Sequence, residues 1–432
     1  MAKKYILIGP AHGIGGWQLY IDARCNHLMK KGIDLFLLYD GDVGGKTVKL
    51  LNTERARKMN ITMDEPYWYS KRHVDEQIKE IIKFIGYRDG DEVFVESTSM
   101  IYSFWGELIA EAVHGQNFCY ILHSYTRGMP LAWKKFFSYK YDQDLIAGQS
   151  DNTLPELFEE YRSIQKDNNR AILAAWEAPI CKDRDDCREH IQYLRELKST
   201  GYKLIGYFGV LRKKHFIPLC NDIVQYAENH KNINFCFVAI GSSDTEVELE
   251  EKRITAINDG GIENCIAYNI PEMYPVPGEL FEMLDICLGS FGSASTAALA
   301  CKRTIRLQSD LNLDVQGVIG ITVSEEEHWL QPVRDETIDD IFDEILFGSN
   351  YDSYKYHSPE KWKWGEENHK KIDEQMRPFE RRVNGYRYYD VFKMPGQGGI
   401  SFIKYIVFHA IGIKNGRKIA SKIRGLYRVE SK

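Results

Sequence analysis

Twice in this chain a short apolar strand runs into a turn and a helix, and another strand follows. The first instance is Tyr5-Ile6-Leu7-Ile8-Gly9, then the glycine-rich turn His12-Gly13-Ile14-Gly15-Gly16, then Leu19, Tyr20, Ala23 and Leu28 at helical spacing up to Gly32, then Asp34 to Tyr39. The second begins at Lys203-Leu204-Ile205-Gly206-Tyr207-Phe208-Gly209 and continues through a helix to His230 and a strand from Asn234 to Ile240. Continuous apolar strands alternating with helices build parallel sheets covered on both faces. Ligands of such sheets bind outside the carboxyl ends of the strands. At 432 residues the chain also exceeds the roughly 250 to 300 at which one core stops growing. The expected class is therefore α/β, with two Rossmann-like doubly wound domains facing a cleft and a C-terminal helical extension.

The same alternation sets the boundaries. Apolar stretches Asp91 to Glu96 and Phe118 to His123, a helix from Trp105 to Val113 between them, and Asp144-Leu145-Ile146-Ala147 belong to a first domain, 1–180. A charged passage containing Lys182-Asp183-Arg184-Asp185-Asp186 and an amphipathic helix separates it from a second domain, 201–345, with further strands at Cys265 to Tyr268 and Ile286 to Leu288. After about residue 350 the regularity gives way to an aromatic, charged stretch, read as helices of 346–395 returning across the first domain. Residues 396–432 form a basic amphipathic tail: eight Lys and Arg from Lys404 to Lys432 stand against Glu430, a net +7 within a chain of net −6.

Composition excludes several classes. Hydrophobic residues at 44% and charged residues at 27% describe a folded globular chain. The nine cysteines sit mostly in apolar runs, such as Asn234-Phe235-Cys236-Phe237, and Cys181 with Cys187 matches neither a zinc nor a redox spacing. They read as reduced core residues. The basic start followed by Tyr5 to Ile8 is too short for a signal peptide, and no run of about 18 apolar residues occurs, so the expected compartment is the cytoplasm. An acidic body with a basic tail fits an anionic membrane surface better than nucleic acid, for which no binding module is visible. Ile400, Phe402, Ile403, Ile406, Val407, Ile411 and Ile413 would give the tail its apolar face, with a helix packed on the protein body as the alternative.

Two turns are candidate anion sites. Gly15 and Gly16 let backbone approach a ligand closely at a helix start. A dinucleotide fingerprint would need a further glycine where Gln18 stands, although Asp40 occupies the place of a ribose partner, so a nucleotide-cofactor oxidoreductase stays open. The more informative stretch is Asp285-Ile286-Cys287-Leu288-Gly289-Ser290-Phe291-Gly292-Ser293-Ala294-Ser295-Thr296. Here a strand meets a helix start of small and hydroxyl residues, whose amides, hydroxyls and dipole suit a diphosphate; tight packing alone is the other reading. Gly44-Gly45-Lys46 lacks the first half of a phosphate-binding loop.

A series of motifs, each weak alone, follows one order. Gly15-Gly16 opens a helix ending Leu28-Met29-Lys30-Lys31-Gly32; Ile205 to Gly209 precedes a basic turn; then come Phe237-Val238-Ala239-Ile240-Gly241, Asn264 with Ile270-Pro271, Glu279-Leu280-Phe281 to Asp285, and Ala298-Leu299-Ala300-Cys301. Over most of residues 1–345 this resembles the GT-B glycosyltransferases, especially family four, the glycogen-synthase-like group. The resemblance implies a nucleotide-diphosphate sugar bound by the second domain and transferred to an acceptor on the first. It places an Arg and a Lys after Gly209, where this chain has Val210 and then Arg212, Lys213 and Lys214; Arg212 and Lys214 are the expected substitutes. Gly15, Gly16, Ser290, Gly292, Ser293, Ser295 and Thr296 complete the expected donor set. Two glutamates of the retaining members fall on Gly289 and Ala297, which leaves stereochemistry open and admits an inactive, sugar-binding relative. Asp40-Gly41-Asp42 is similar to the metal site of the other major glycosyltransferase fold, but a two-domain chain favours a polar strand-end turn, and no obligatory metal or cofactor is expected.

An inverting reaction needs a base to deprotonate the acceptor hydroxyl. His12 at the glycine turn, His123 at the end of the Phe118 strand and Glu177 in Ala175-Trp176-Glu177-Ala178-Pro179 are the candidates, each with a structural role as its alternative. The expected substrates are a nucleotide-diphosphate sugar and a saccharide or lipid-linked acceptor, and the resemblance points to bacterial surface polysaccharide.

Overall fold

The computed structural model describes residues 2–11, 14–40, 50–122, 131–149, 180–211, 216–241, 257–260, 262–308, 313–323, 336–349, 370, 373–374 and 386–394. The chain divides into two compact units, Met1–Glu177 with Trp364–Lys432, and Ala178–Lys363. The tail from 396 and most of 346–395 lie outside the described residues.

In the first unit, β1 (Lys3–Ile8), β2 (Asp34–Tyr39), β3 (Arg57–Asn60), β4 (Glu92–Ser97), β5 (Gln116–Ile121) and β6 (Ile146–Gly148) form one sheet of order β3-β2-β1-β4-β5-β6. Every pairing in it is parallel. The apolar runs alternate between two cores. Ile6, Ile8, Phe36, Leu38, Val93 and Val95 face one side, and Tyr5, Leu7, Leu35, Leu37, Phe118 and Tyr120 face the other. Such two-sided burial is why the central runs of β1 and β2 carry no polar face.

Helices close both cores, and their caps explain their limits. Helix Lys71–Ile85 buries Val74, Ile78, Ile81 and Ile85, starts at Ser70, whose hydroxyl accepts from the His73 amide, and stops at Gly86 with φ +59°. Helix Met100–Ala112 starts five residues before the expected Trp105, because Ser99 caps it by accepting from the Tyr102 amide. Helix Gly16–Lys30 covers the opposite face with Tyr20, Ile21, Cys25 and Leu28.

The second unit repeats the plan. Strands β8 (Lys203–Phe208), β9 (Phe235–Ile240), β10 (Cys265–Ile270), β12 (Ile286–Ser290), β13 (Thr304–Leu307) and β14 (Val315–Val318) lie in the order β10-β9-β8-β12-β13-β14. This is the first sheet's order again, except that β14 runs antiparallel to β13. A two-stranded parallel sheet joins β7 (Ile180–Cys181) to β11 (Val276–Pro277). Helix Ile338–Leu346 begins with a capping box between Thr337 and Asp340 and buries Ile338, Ile341, Phe342 and Ile345.

All nine cysteines are free thiols, eight of them buried. Burial pushes the Cys187 and Cys265 thiols up to about 11, which disfavours the thiolate that metals and nucleophilic chemistry require.

Candidate functional site

Both sheets reverse their order at one point, between β1 and β4 in the first and between β8 and β12 in the second. Crevices outside the carboxyl ends of strands at such a switch point are where open α/β sheets bind ligands.

In the second unit three glycines line that edge. Register pairs Leu288 with Tyr207, so Gly289 of β12 reaches the end of β8. Gly209 follows β8 with φ +151°, and Gly241 follows β9 with φ +149°. A Cβ on Gly241 would lie 1.9 Å from the Gly209 carbonyl oxygen, and one on Gly209 would lie 3.3 Å from Ser293 Oγ. A Cβ on Gly289 would lie 2.9 Å from the Ala294 amide nitrogen. The absence of side chains is thus what lets the turn after β8 and the helix after β12 approach each other.

That helix, Phe291–Ala298, has Ser290 in extended conformation as its N-cap and no acidic residue in its first turn. The first amides of a helix have no intrahelical acceptor, and the dipole adds partial positive charge at that end. Gly292 and Ser293 are half-buried there, while Ser290, Ser295 and Thr296 are buried. The chain leaving Gly209 passes half-buried Val210 and fully buried Leu211 and then enters Arg212-Lys213-Lys214. Those three lie outside the described residues and follow Gly209, whose added Cβ would meet Ser293, by three to five positions.

The positions that the resemblance reserves for glutamates are packing positions here. Gly289 is pressed against the backbone of Ala294, and Ala297 is fully buried in the core with Leu204, Val238 and Phe281. A carboxylate at either place would displace a helix or be buried without water.

In the first unit, Gly15 caps helix Gly16–Lys30 with its backbone, and Gly16 is exposed. His12 lies outside the described residues, as do Glu177 and His123, the latter one residue past buried Leu122. Asp40 is half-buried at the end of β2, whereas Gly41 and Asp42 are not described. Among the described residues, no group of three or more His, Cys, Asp or Glu is arranged to hold a metal ion. No helix among them is long and apolar enough to cross a membrane.

Two buried charge clusters escaped sequence reasoning. Glu96 of β4 accepts from Arg24 Nε at 3.0 Å and from the hydroxyls of Tyr5 and Tyr20. Arg24 also pairs with Asp373 at 3.0 Å, and Asp373 meets His27 Nε2 at 2.9 Å and Lys31. Glu107 accepts from Lys140 Nζ at 2.8 Å, the Tyr386 hydroxyl at 2.8 Å and the Tyr389 amide at 3.0 Å. Residues near both ends of 373–394 are thereby tied to the first unit.

No family model matches the chain, and no curated protein matches it in sequence. Its fold is similar to that of Alr3699/HepE from Anabaena in complex with UDP and glucose, with a TM-score of 0.53 at 11% identity over 88% of this chain and all of that one. A glycosyltransferase from Rickettsia africae gives 0.53 at 13% identity, over 91% of this chain and all of the other. A protein from Listeria monocytogenes assigned as a UDP-N-acetylglucosamine 2-epimerase gives 0.50 at 12%, over 90% of this chain and all of that one. With the same strand order in both sheets, these likenesses establish the fold as GT-B, two Rossmann-like domains in series.

Proposed function

We propose that the chain is a glycosyltransferase whose second unit binds a nucleotide-diphosphate sugar and whose first unit presents a saccharide or lipid-linked acceptor. The observation that carries this reading is the close approach of the strand end at Gly209, three residues before Arg212, to Ser293 at the start of helix Phe291–Ala298. Helix-start amides and a hydroxyl at a switch point suit a diphosphate, and Arg212, Lys213 and Lys214, which follow in the sequence, are the proposed cations. The likeness in fold to HepE, solved with UDP and glucose, supports a uridine nucleotide as the first donor to try.

Catalysis then rests on bringing donor and acceptor together and on stabilising the departing diphosphate electrostatically. No obligatory metal enters this scheme, so EDTA is expected to leave turnover unchanged. His12 is the first choice for the acceptor base, with His123 and Glu177 next. Assembly of a bacterial surface polysaccharide, with the basic tail on an anionic membrane, is the proposed setting.

Acceptor-dependent release of UDP from UDP-sugars, followed by mass spectrometry of the product, tests the reading. Turnover that needs an acceptor supports transfer. Conversion of UDP-N-acetylglucosamine to its C2 epimer without an acceptor would instead support the epimerase reading that the Listeria likeness favours. Binding of NAD with no nucleotide-sugar response would turn the assignment to an oxidoreductase.

A further inference from the structure

At the carboxyl edge of the first sheet, the mouth between β1 and β4 is covered by aromatic rings. Trp17, in the first turn of helix Gly16–Lys30, donates its indole N–H to Thr98 Oγ1 at 2.7 Å. Thr98 in turn donates to the carbonyl of Ile8, the last residue of β1, at 2.7 Å. Gly9 beneath leaves no slack, since a Cβ there would meet Ile21 Cδ1 at 2.3 Å and Thr98 Oγ1 at 2.8 Å. The indole is therefore fixed across the switch point. Tyr102, in the first turn of helix Met100–Ala112, joins it with ring centroids 5.5 Å apart and planes tilted by 41°. Both rings are half-buried.

Among the described residues, the charged side chains at this edge are acidic. The described residues that leave β1 to β4 at this edge, 9–11, 14–19, 40, 61–70 and 98–103, include Asp40, Asp64 and Glu65 and no lysine or arginine. Acidic charge at this edge disfavours a phosphate and leaves an uncharged sugar unopposed. The C–H face of a pyranose gains from burial against rings whose orientation is already fixed.

We propose that Trp17 and Tyr102 form the platform on which the first unit stacks an uncharged sugar ring of the acceptor. This rests on the transferase reading and narrows it: the two switch points are chemically opposite, one built for an anion and one for a neutral ring.

The test uses protein labelled with 15N at the tryptophan indoles, with the Trp17 signal identified by its loss in Trp17→Phe. The full chain is titrated separately with cellobiose, N-acetylchitobiose, glucose 6-phosphate and UDP. At least one neutral disaccharide is expected to move the Trp17 signal, glucose 6-phosphate to move it far less, and UDP to leave it in place. Trp17→Ala is expected to weaken that disaccharide about tenfold or more, a loss of about 1.4 kcal/mol, with UDP affinity unchanged. Trp17→Phe, which keeps an aromatic face, is expected to lose less, and Tyr102→Leu probes the second ring should Trp17→Ala fold poorly. A Trp17 signal that no disaccharide moves, or that glucose 6-phosphate moves as much, overturns the platform, while nucleotide binding measured separately by calorimetry still reports on the donor site. Calorimetric titrations in which none of UDP, GDP, CMP and TDP binds, with the disaccharide shift intact, remove the transferase reading instead.

Discussion

Gly241 has no tolerable substitute at its place. With φ at +149° and the Gly209 carbonyl oxygen 1.9 Å from where a Cβ would sit, Gly241→Ala must move the turn after β8. We expect a loss of about 2 kcal/mol or more in urea unfolding, together with weaker nucleotide binding because the displaced turn leads to Arg212. Arg24→Met should cost about 3 to 5 kcal/mol, since it leaves Glu96 buried among tyrosine hydroxyls without its cation. Adding Glu96→Leu should recover part of that loss, which a double-mutant cycle would read. These two sites differ in how far the sequence discloses them. Gly209 and Gly241 end apolar strands and are visible as strand-to-turn junctions. Arg24 and Glu96 stand 72 residues apart, and only the pairing of β1 with β4 brings the second to the helix carrying the first. The sequence marks Gly15-Gly16 as a helix start, but nothing in it singles out the neighbouring Trp17, whose partner Thr98 lies beyond the intervening strands.

Among the elements, helix Gly16–Lys30 carries Trp17 at one end and Arg24, His27 and Lys31 toward and just past the other. Burial alone would raise the Asp373 carboxyl, but the His27 hydrogen bond and the Arg24 and Lys31 charges outweigh it and hold the group well below the usual carboxylate range. A folded-state pKa depressed in this way contributes stability that is complete above the ordinary value near 4 and is lost as pH falls below it toward the folded value. Asp373→Asn should therefore cost about 2 kcal/mol at neutral pH. The gap to wild type should narrow below about pH 4, as urea midpoints at about pH 7, 5 and 3.5 would show. A gap that persists unchanged at the acidic end would mean that the carboxylate charge is not what holds the segment. The strands were legible where they are buried on both faces, as β2 shows with Asp34 to Tyr39 at its expected limits. The outer strands were not: β3, Arg57-Lys58-Met59-Asn60, is exposed at both ends and has no apolar run, and β14 holds its antiparallel place through tertiary pairing.

For the whole molecule, repetition was the readable signal: two successions of apolar strand, turn and helix predicted two doubly wound sheets, and both have the order that places a switch point beside the first strand. Chemistry was less readable. The donor motif departs from the resemblance at Val210, Gly289 and Ala297, and only the structure explains the last two, as positions closed by Ala294 and by the core. The central claim is that the second unit's switch point binds a nucleotide diphosphate. Calorimetric titration of the full chain with UDP, GDP, CMP, TDP and NAD tests it most directly, repeated with Ser293→Trp, which fills the space against Gly209, and with Arg212→Ala. Saturable binding of one nucleoside diphosphate, abolished by Ser293→Trp and weakened about tenfold or more by Arg212→Ala, is the predicted result. Nucleotide binding that both variants leave intact, or binding of NAD alone, would contradict it.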